Sequence, residues 1–181
     1  YVMAQAVFDG QFPVRVVNGL GYGYGYPIFN FYSPFPYYVG AFVSYVVRDY
    51  MFATKIMMII PVFVAGLGMY LFVRRNLGIF PAITAASAYI LFPYFAVNIY
   101  VRGAVGEYYA YSLLPFVFLG MSGIYSRLQN SKQIPWPWVL VTSISIWILI
   151  ISHNLSAIIL QFLLLIFLIV TLIFSKNKRW L

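Results

Sequence analysis

The stretch VLVTSISIWILIISHNLSAIILQFLLLIFLIVTLIF, residues 139–174, decides the class of this chain. Its 36 residues contain no Asp, Glu, Lys or Arg. As a single helix it would run about 54 Å at 1.5 Å per residue, against a hydrocarbon core of ~30 Å. It must therefore break, and Ser152-His153-Asn154, three polar residues in a row, mark the place. Two spans, approximately 136–152 and 155–174, follow from that break. Further apolar runs give spans at 56–73, 78–98 and 107–125. The expected fold class is an all-α integral membrane protein with about five transmembrane helices.

Composition points the same way. Hydrophobic residues make up 64% and charged residues 8% of the chain, and mean hydropathy is +0.90, well outside the range of soluble globular domains. With no cysteine there is no disulfide framework and no thiolate metal or redox chemistry. A single histidine excludes a multi-histidine zinc site, so no metal site is expected. The net charge of +8 is spread over loops between apolar runs, which argues for membrane orientation and against a nucleic-acid partner.

Lys and Arg set that orientation, because short cytoplasmic loops are enriched in them. Arg74 and Arg75 end one span, Arg127 and Lys132 flank a polar loop, and Lys176, Lys178 and Arg179 close the chain. These seven are assigned to the cytoplasmic side. The opposite face then carries Arg15, Arg48, Lys55 and Arg102 against Asp9, Asp49 and Glu107, for a net +1. Every acid of the chain falls on that one external face.

Residues 1–55 are read as an external region and 56–181 as the helical bundle. The external region holds GLGYGYGYPIFNFYSPFPYY, residues 19–38, with four glycines, three prolines, nine aromatic rings and no charge. Such a backbone suits neither a regular helix nor a central strand. Its rings suit the boundary between water and lipid. The following segment, 34–47, is too short for a comfortable span and is expected as a juxtamembrane helix, the alternative being a crossing. Pro34 or Pro36 is well placed at its start. The opening residues YVMAQAVF read as a helix ending at Asp9-Gly10, and the chain as an N-terminally truncated fragment. Prolines 61, 81, 93 and 115 lie within or near span ends, where neighbouring helices can satisfy the freed carbonyls. Ala82, Ala85, Ala86, Ser87 and Ala88 offer a small-residue face for close packing.

GQFPVR (10–15), GYGYP (23–27), FYSPFPYY (31–38), RGAVGE (102–107) and SHN (152–154) together resemble a bacterial polytopic membrane family labelled as 6-pyruvoyl-tetrahydropterin synthase-related. The chain is also similar to GT-C type glycosyltransferases that use polyprenyl-phosphate sugars. Residues 31–47, followed by Lys55, look like the juxtamembrane helix that precedes a span in that group. The resemblance implies an active site on the external face, with a polyprenyl-phosphate sugar as donor substrate. It also implies a general base, an Asp or Glu in the first external loop. Pterin chemistry is not carried over, since that enzyme needs a histidine zinc site and this chain has only His153.

Three residues are candidate catalytic groups: Asp9, Glu107 and His153. Asp9 is the acid available in the first loop, although a DGQFP turn more naturally ends a helix. Arg102 and Glu107 have two readings. Arg102 could fork onto a donor phosphate, or the two could pair across the Gly103–Gly106 turn and only shape it. Glu107 at a helix start is favoured by the helix dipole. His153 could contact phosphate or relay a proton, or serve as a polar loop residue. Arg15 could bind phosphate or snorkel toward headgroups. Tyr24, Tyr26 and Tyr32 could stack on sugar faces or pack on lipid, and the Gly-Tyr repeat is no dinucleotide fingerprint, because no strand precedes it.

The function expected is transfer of a sugar from a polyprenyl-phosphate carrier to an envelope acceptor at the external face of the bacterial inner membrane. The partners are the lipid bilayer and the lipid-linked sugar, and no cofactor is implied. The alternative is a transporter subunit or an envelope-polymer assembly factor. A transport pathway would place polar groups at mid-span, whereas here they gather at one face.

Overall fold

The computed structural model describes residues 1–130 and 133–174; Lys132, Lys176, Lys178 and Arg179 lie outside them. The described residues form helices and no strand. The order is α1 (Val2–Phe8), a 3-10 turn (Ile28–Asn30), α2 (Phe35–Val47), α3 (Tyr50–Leu77), α4 (Ile79–Leu91), α5 (Pro93–Tyr100), α6 (Val105–Asn130), α7 (Trp136–Ser152) and α8 (Asn154–Phe174). Three helical stretches are long and apolar enough to cross a membrane: Tyr50–Leu77, Ile79–Tyr100 and Asn154–Thr171. The chain is a multi-pass membrane protein. α6 has the length, 26 residues, but Glu107 and several serines and tyrosines dilute its apolar character. α7 has 17 residues, about 26 Å.

Local chemistry sets the boundaries. α3 begins at Tyr50, six residues before the start expected at 56. The Asp49 carboxylate caps it, accepting the N–H groups of Met51 at 2.8 Å and Phe52 at 3.0 Å, and so satisfies donors that have no intrahelical partner. The stretch expected as one span at 78–98 is two helices, because the residue before a proline is pushed out of the helical region; Phe92 has ψ 131°. α7 and α8 part at His153, whose backbone is extended.

α6 lies between α3 and α7 and packs along both. On the α7 side its glycines allow the approach. A methyl at Gly106 would meet the Ser152 carbonyl, one at Gly120 would meet Thr142, and one at Gly123 would meet the Trp138 ring. Small residues at such crossings bring helix backbones close enough for van der Waals packing. A close seam therefore runs along α6, and α4 also packs along α3. Of the small residues expected to pack closely on α4, Ala82 is buried and Ala85 and Ala86 are partly buried, while Ser87 and Ala88 face outward.

The two mid-helix prolines are buried, and each has a tyrosine partner. Pro61 has no N–H to bond the carbonyl of Met57, and that carbonyl accepts the Tyr109 hydroxyl at 2.7 Å. Pro115 likewise frees the carbonyl of Tyr111, which accepts the Tyr89 hydroxyl at 2.7 Å. Irregular helix backbone at this depth needs such replacement partners.

Residues 1–34 pack on α2 as a small satellite core of Met3, Val14, Val17 and Phe29 against Tyr37, Tyr38 and Ala41. Val17 and Tyr26 exchange two backbone hydrogen bonds of 3.0 Å, pinching the Gly-Tyr loop shut. Gly21, Gly23 and Gly25 all have positive φ, as does Tyr22, so the glycines supply conformations that other residues adopt at a cost. α2 turns into α3 through Arg48, at φ +57°, and packs back along it, with Gly40 against Met57.

The bundle has two chemically distinct ends. At one, Arg75 lies over the Trp138 ring at 4.2 Å, with Arg74 in the same last turn of α3 and Arg127 in the last turn of α6. At the other stand Glu107, Arg102, Ser152, His153 and Asn154. The outward faces between are apolar: Phe63 and Leu67 on α3, and Ile159, Phe162 and Ile166 on α8 are exposed.

Candidate functional site

Tyr94, Asn98 and Arg102 follow one another at intervals of four, so α5 presents them on one face and carries that face into the turn before α6. The turn closes through bonds from the Arg102 N–H to the Val97 carbonyl and from the Ala104 N–H to the Asn98 carbonyl, each 2.9 Å, with Gly103 at φ +61°. Arg102 Nη1 donates to Asn98 Oδ1 at 2.9 Å and to the Tyr94 hydroxyl at 3.1 Å. Its Nη2 pairs with Glu107 Oε2 at 2.9 Å, and the Tyr94 hydroxyl donates to Glu107 Oε1. Four side chains thus form a closed network.

Charge and exposure divide the roles within it. The Glu107 side chain is 15% exposed and that of Arg102 46%. Hydrogen bonds to Glu107 and Tyr94, with the nearby carboxylate charge, raise the guanidinium further above its ordinary value. Both carboxylate oxygens of Glu107 are engaged, and its place in the first turn of α6 favours negative charge. Asn98 is fully buried, with its Nδ2 unpartnered among the described residues.

His153 joins this end through α6. Gly106 sits against the Ser152 carbonyl and near the His153 ring, so one of the close α6–α7 contacts is one residue from Glu107. The Nδ1 of His153 accepts the N–H of Ser156 at 3.2 Å and lies 2.8 Å from its hydroxyl. His153 therefore caps α8. Nδ1 acts as the acceptor, which leaves a neutral ring its proton on Nε2. Ser33 donates to Asn154 Oδ1 at 3.0 Å, bringing the segment before α2 to the same end.

The other candidates lie elsewhere. Asp9 ends α1, with Gly10 at φ +82°, and lines a cleft of ≈ 340 Å³ with Gln5, Gln11, Asn18 and Gly19. Arg15 donates to Asn30 Oδ1 at 3.2 Å. Tyr24 is 95% exposed, and Tyr26 and Tyr32 are also exposed. Arg102, Glu107 and His153 are thus brought together, whereas Asp9, Arg15 and the tyrosines belong to the satellite body on α2. Tyr94, Asn98, Ser33 and Asn154 were not among the sequence candidates. Asn98, an amide four residues before Arg102 in an apolar run, is the signal that could have found the first two.

The sequence profile of the 6-pyruvoyl-tetrahydropterin synthase related domain, described as a membrane protein, matches residues 29–181. That range takes in α2 through α8 and the whole Tyr94–Asn98–Arg102–Glu107 network. No curated protein and no solved structure matches the chain. The match covers most of the chain, which belongs to the 6-pyruvoyl-tetrahydropterin synthase related domain family of membrane proteins.

Proposed function

We propose that the chain is a GT-C-like glycosyltransferase of the bacterial inner membrane, crossing it five times with residues 1–55 outside. It passes a sugar from a polyprenyl-phosphate carrier to an envelope acceptor at the external face. The observation that carries this reading is Arg102, a half-exposed guanidinium locked by three partners at the end of the bundle away from Arg74, Arg75 and Arg127. A guanidinium has five N–H donors, and three are used within the network. Two remain for a phosphate oxygen, in a fork whose aim is set by Asn98 and Glu107 rather than by the ligand. Preorganised charge of this kind stabilises a leaving phosphate without reorganisation at the moment of reaction.

In this reading Glu107 positions Arg102, since both of its oxygens are occupied. His153, capping α8 through Nδ1, offers Nε2–H as a donor to the same phosphate. Asp9 stands apart from this network, on the satellite body against α2; the resemblance to enzymes with an acid in the first external loop is what makes it the candidate base. In the transfer step the base takes the proton from the acceptor hydroxyl, the hydroxyl oxygen bonds the anomeric carbon, and the sugar–phosphate bond breaks so that the phosphate leaves on the lipid.

One observation favours the second reading, a non-enzymatic binding or assembly protein for envelope polymers. Glu107 and His153, the two acid–base groups nearest Arg102, are both committed to internal hydrogen bonds. Transfer of labelled sugar from polyprenyl phosphate by reconstituted protein separates the two. Arg102→Ala should reduce transfer per folded molecule on the order of 100-fold, with Arg102→Lys intermediate, and should lower the unfolding temperature because Asn98 and Glu107 lose a partner. Undiminished transfer by Arg102→Ala sinks the proposal. Retained lipid-phosphate binding with no transfer by the unmodified protein selects the second reading.

A further inference from the structure

Between α1 and α2 runs a groove of ≈ 290 Å³ lined by Ala4, Val7, Phe8, Phe42 and Tyr45, almost entirely apolar. A second cleft adjoins it, sharing Phe8 and Tyr45 and lined also by Ser44, Arg48 and Tyr50. Together they form an open, mainly apolar groove with one cation, Arg48, in its lining. We propose that it holds an anionic phospholipid of the surrounding bilayer, one acyl chain between α1 and α2 and the phosphate at Arg48.

Three observations carry this choice of occupant. Charge comes first. Arg48 is exposed and has no ion pair among the described residues. The neighbouring Asp49 turns its carboxylate into the start of α3. The backbone comes second. Arg48 has φ +57°, the left-handed position that commonly falls to glycine where a helix ends. An arginine is held there against that preference, and such outliers point to function. Position is third. From Tyr50 to Arg74, α3 rises about 36 Å at 1.5 Å per residue, between the ~30 Å apolar core and the 40–45 Å that include headgroups. With Arg74 and Arg75 at one headgroup layer, Arg48 reaches the other. Exposed Val46, Met51 and Phe52 lie close to Arg48 in the chain, giving this end of the groove apolar surroundings.

The test uses detergent-purified full chain with phosphatidylglycerol, phosphatidylcholine of the same acyl chains, or polyprenyl phosphate, read by native mass spectrometry and thermal unfolding. The unmodified protein should retain phosphatidylglycerol about fivefold better than phosphatidylcholine, the value of one cation near an anionic headgroup. Arg48→Gly should abolish that preference while unfolding at the same or a higher temperature, because glycine relieves the left-handed backbone. Val7→Trp, which fills the groove, should lower retention of both phospholipids. Equal retention of the two by the unmodified protein, or an undiminished preference in Arg48→Gly, overturns the proposal. So does displacement of phosphatidylglycerol by equimolar polyprenyl phosphate. None of these outcomes depends on sugar transfer at Arg102.

Discussion

Gly120 shows how one residue can decide the spacing of two helices. In isolation, Gly→Ala within a helix is favourable by up to ~1 kcal/mol. Here the added methyl would meet the Thr142 side chain and approach its backbone N to 3.0 Å, and overpacking costs about 1–3 kcal/mol. The second effect outweighs the first. Gly120→Ala should therefore lower the unfolding temperature of the purified protein, and a rise would show that α6 and α7 are not in close contact. The network around Arg102 obeys the same logic. Arg102, Glu107 and His153 are legible in the sequence because charge and imidazole are rare in an apolar chain. Tyr94 and Asn98 are not, because their roles appear only when α5 aims one face at the turn that follows it.

At the scale of elements, the buried prolines make the sharper case. The Met57 carbonyl, freed by Pro61, is satisfied by Tyr109. Tyr109→Phe leaves it unpaired in a dry interface, at a cost of about 1–3 kcal/mol. Pro61→Ala restores the intrahelical bond to the same carbonyl. In the double variant, Tyr109→Phe should then cost much less than it does alone, a coupling that a double-mutant cycle in denaturant reads directly. Additive effects would mean that the tyrosine is not the replacement partner. Boundaries followed similar chemistry. The polar triplet at 152–154 announced the end of α7, whereas Lys55 concealed the true start of α3 at the Asp49 cap. Pro93 divided a run whose hydropathy reads as continuous.

For the whole molecule, the prediction concerns sidedness. The chain has no cysteine, so single cysteines can report on each end without background. Tyr24→Cys, on the exposed Gly-Tyr loop, should react with a membrane-impermeant maleimide in intact cells. Asn76→Cys, beside Arg74 and Arg75, should react only after permeabilisation. The reverse pattern would invert the molecule and remove the Arg102 site from the external face. The charges already separate along the bundle, with Arg74, Arg75 and Arg127 at one end and Arg102, Glu107 and His153 at the other.

Sequence alone determined the membrane class, the break in the long apolar block and the polar residues worth weighing. All of these follow from local quantities: hydropathy over a span length, consecutive polar residues, and charge in an apolar background. Tertiary structure decided which of those residues meet. It joined Arg102 to Tyr94 and Asn98, committed Glu107 and His153 to internal bonds, and kept Asp9 and the Gly-Tyr loop on a separate body against α2. It also added a close seam at the glycines of α6 to the packing of α4 on α3. The physical reason is that hydrogen bonds and close packing depend on distances between elements, and those are set by crossings and turns that no local pattern encodes.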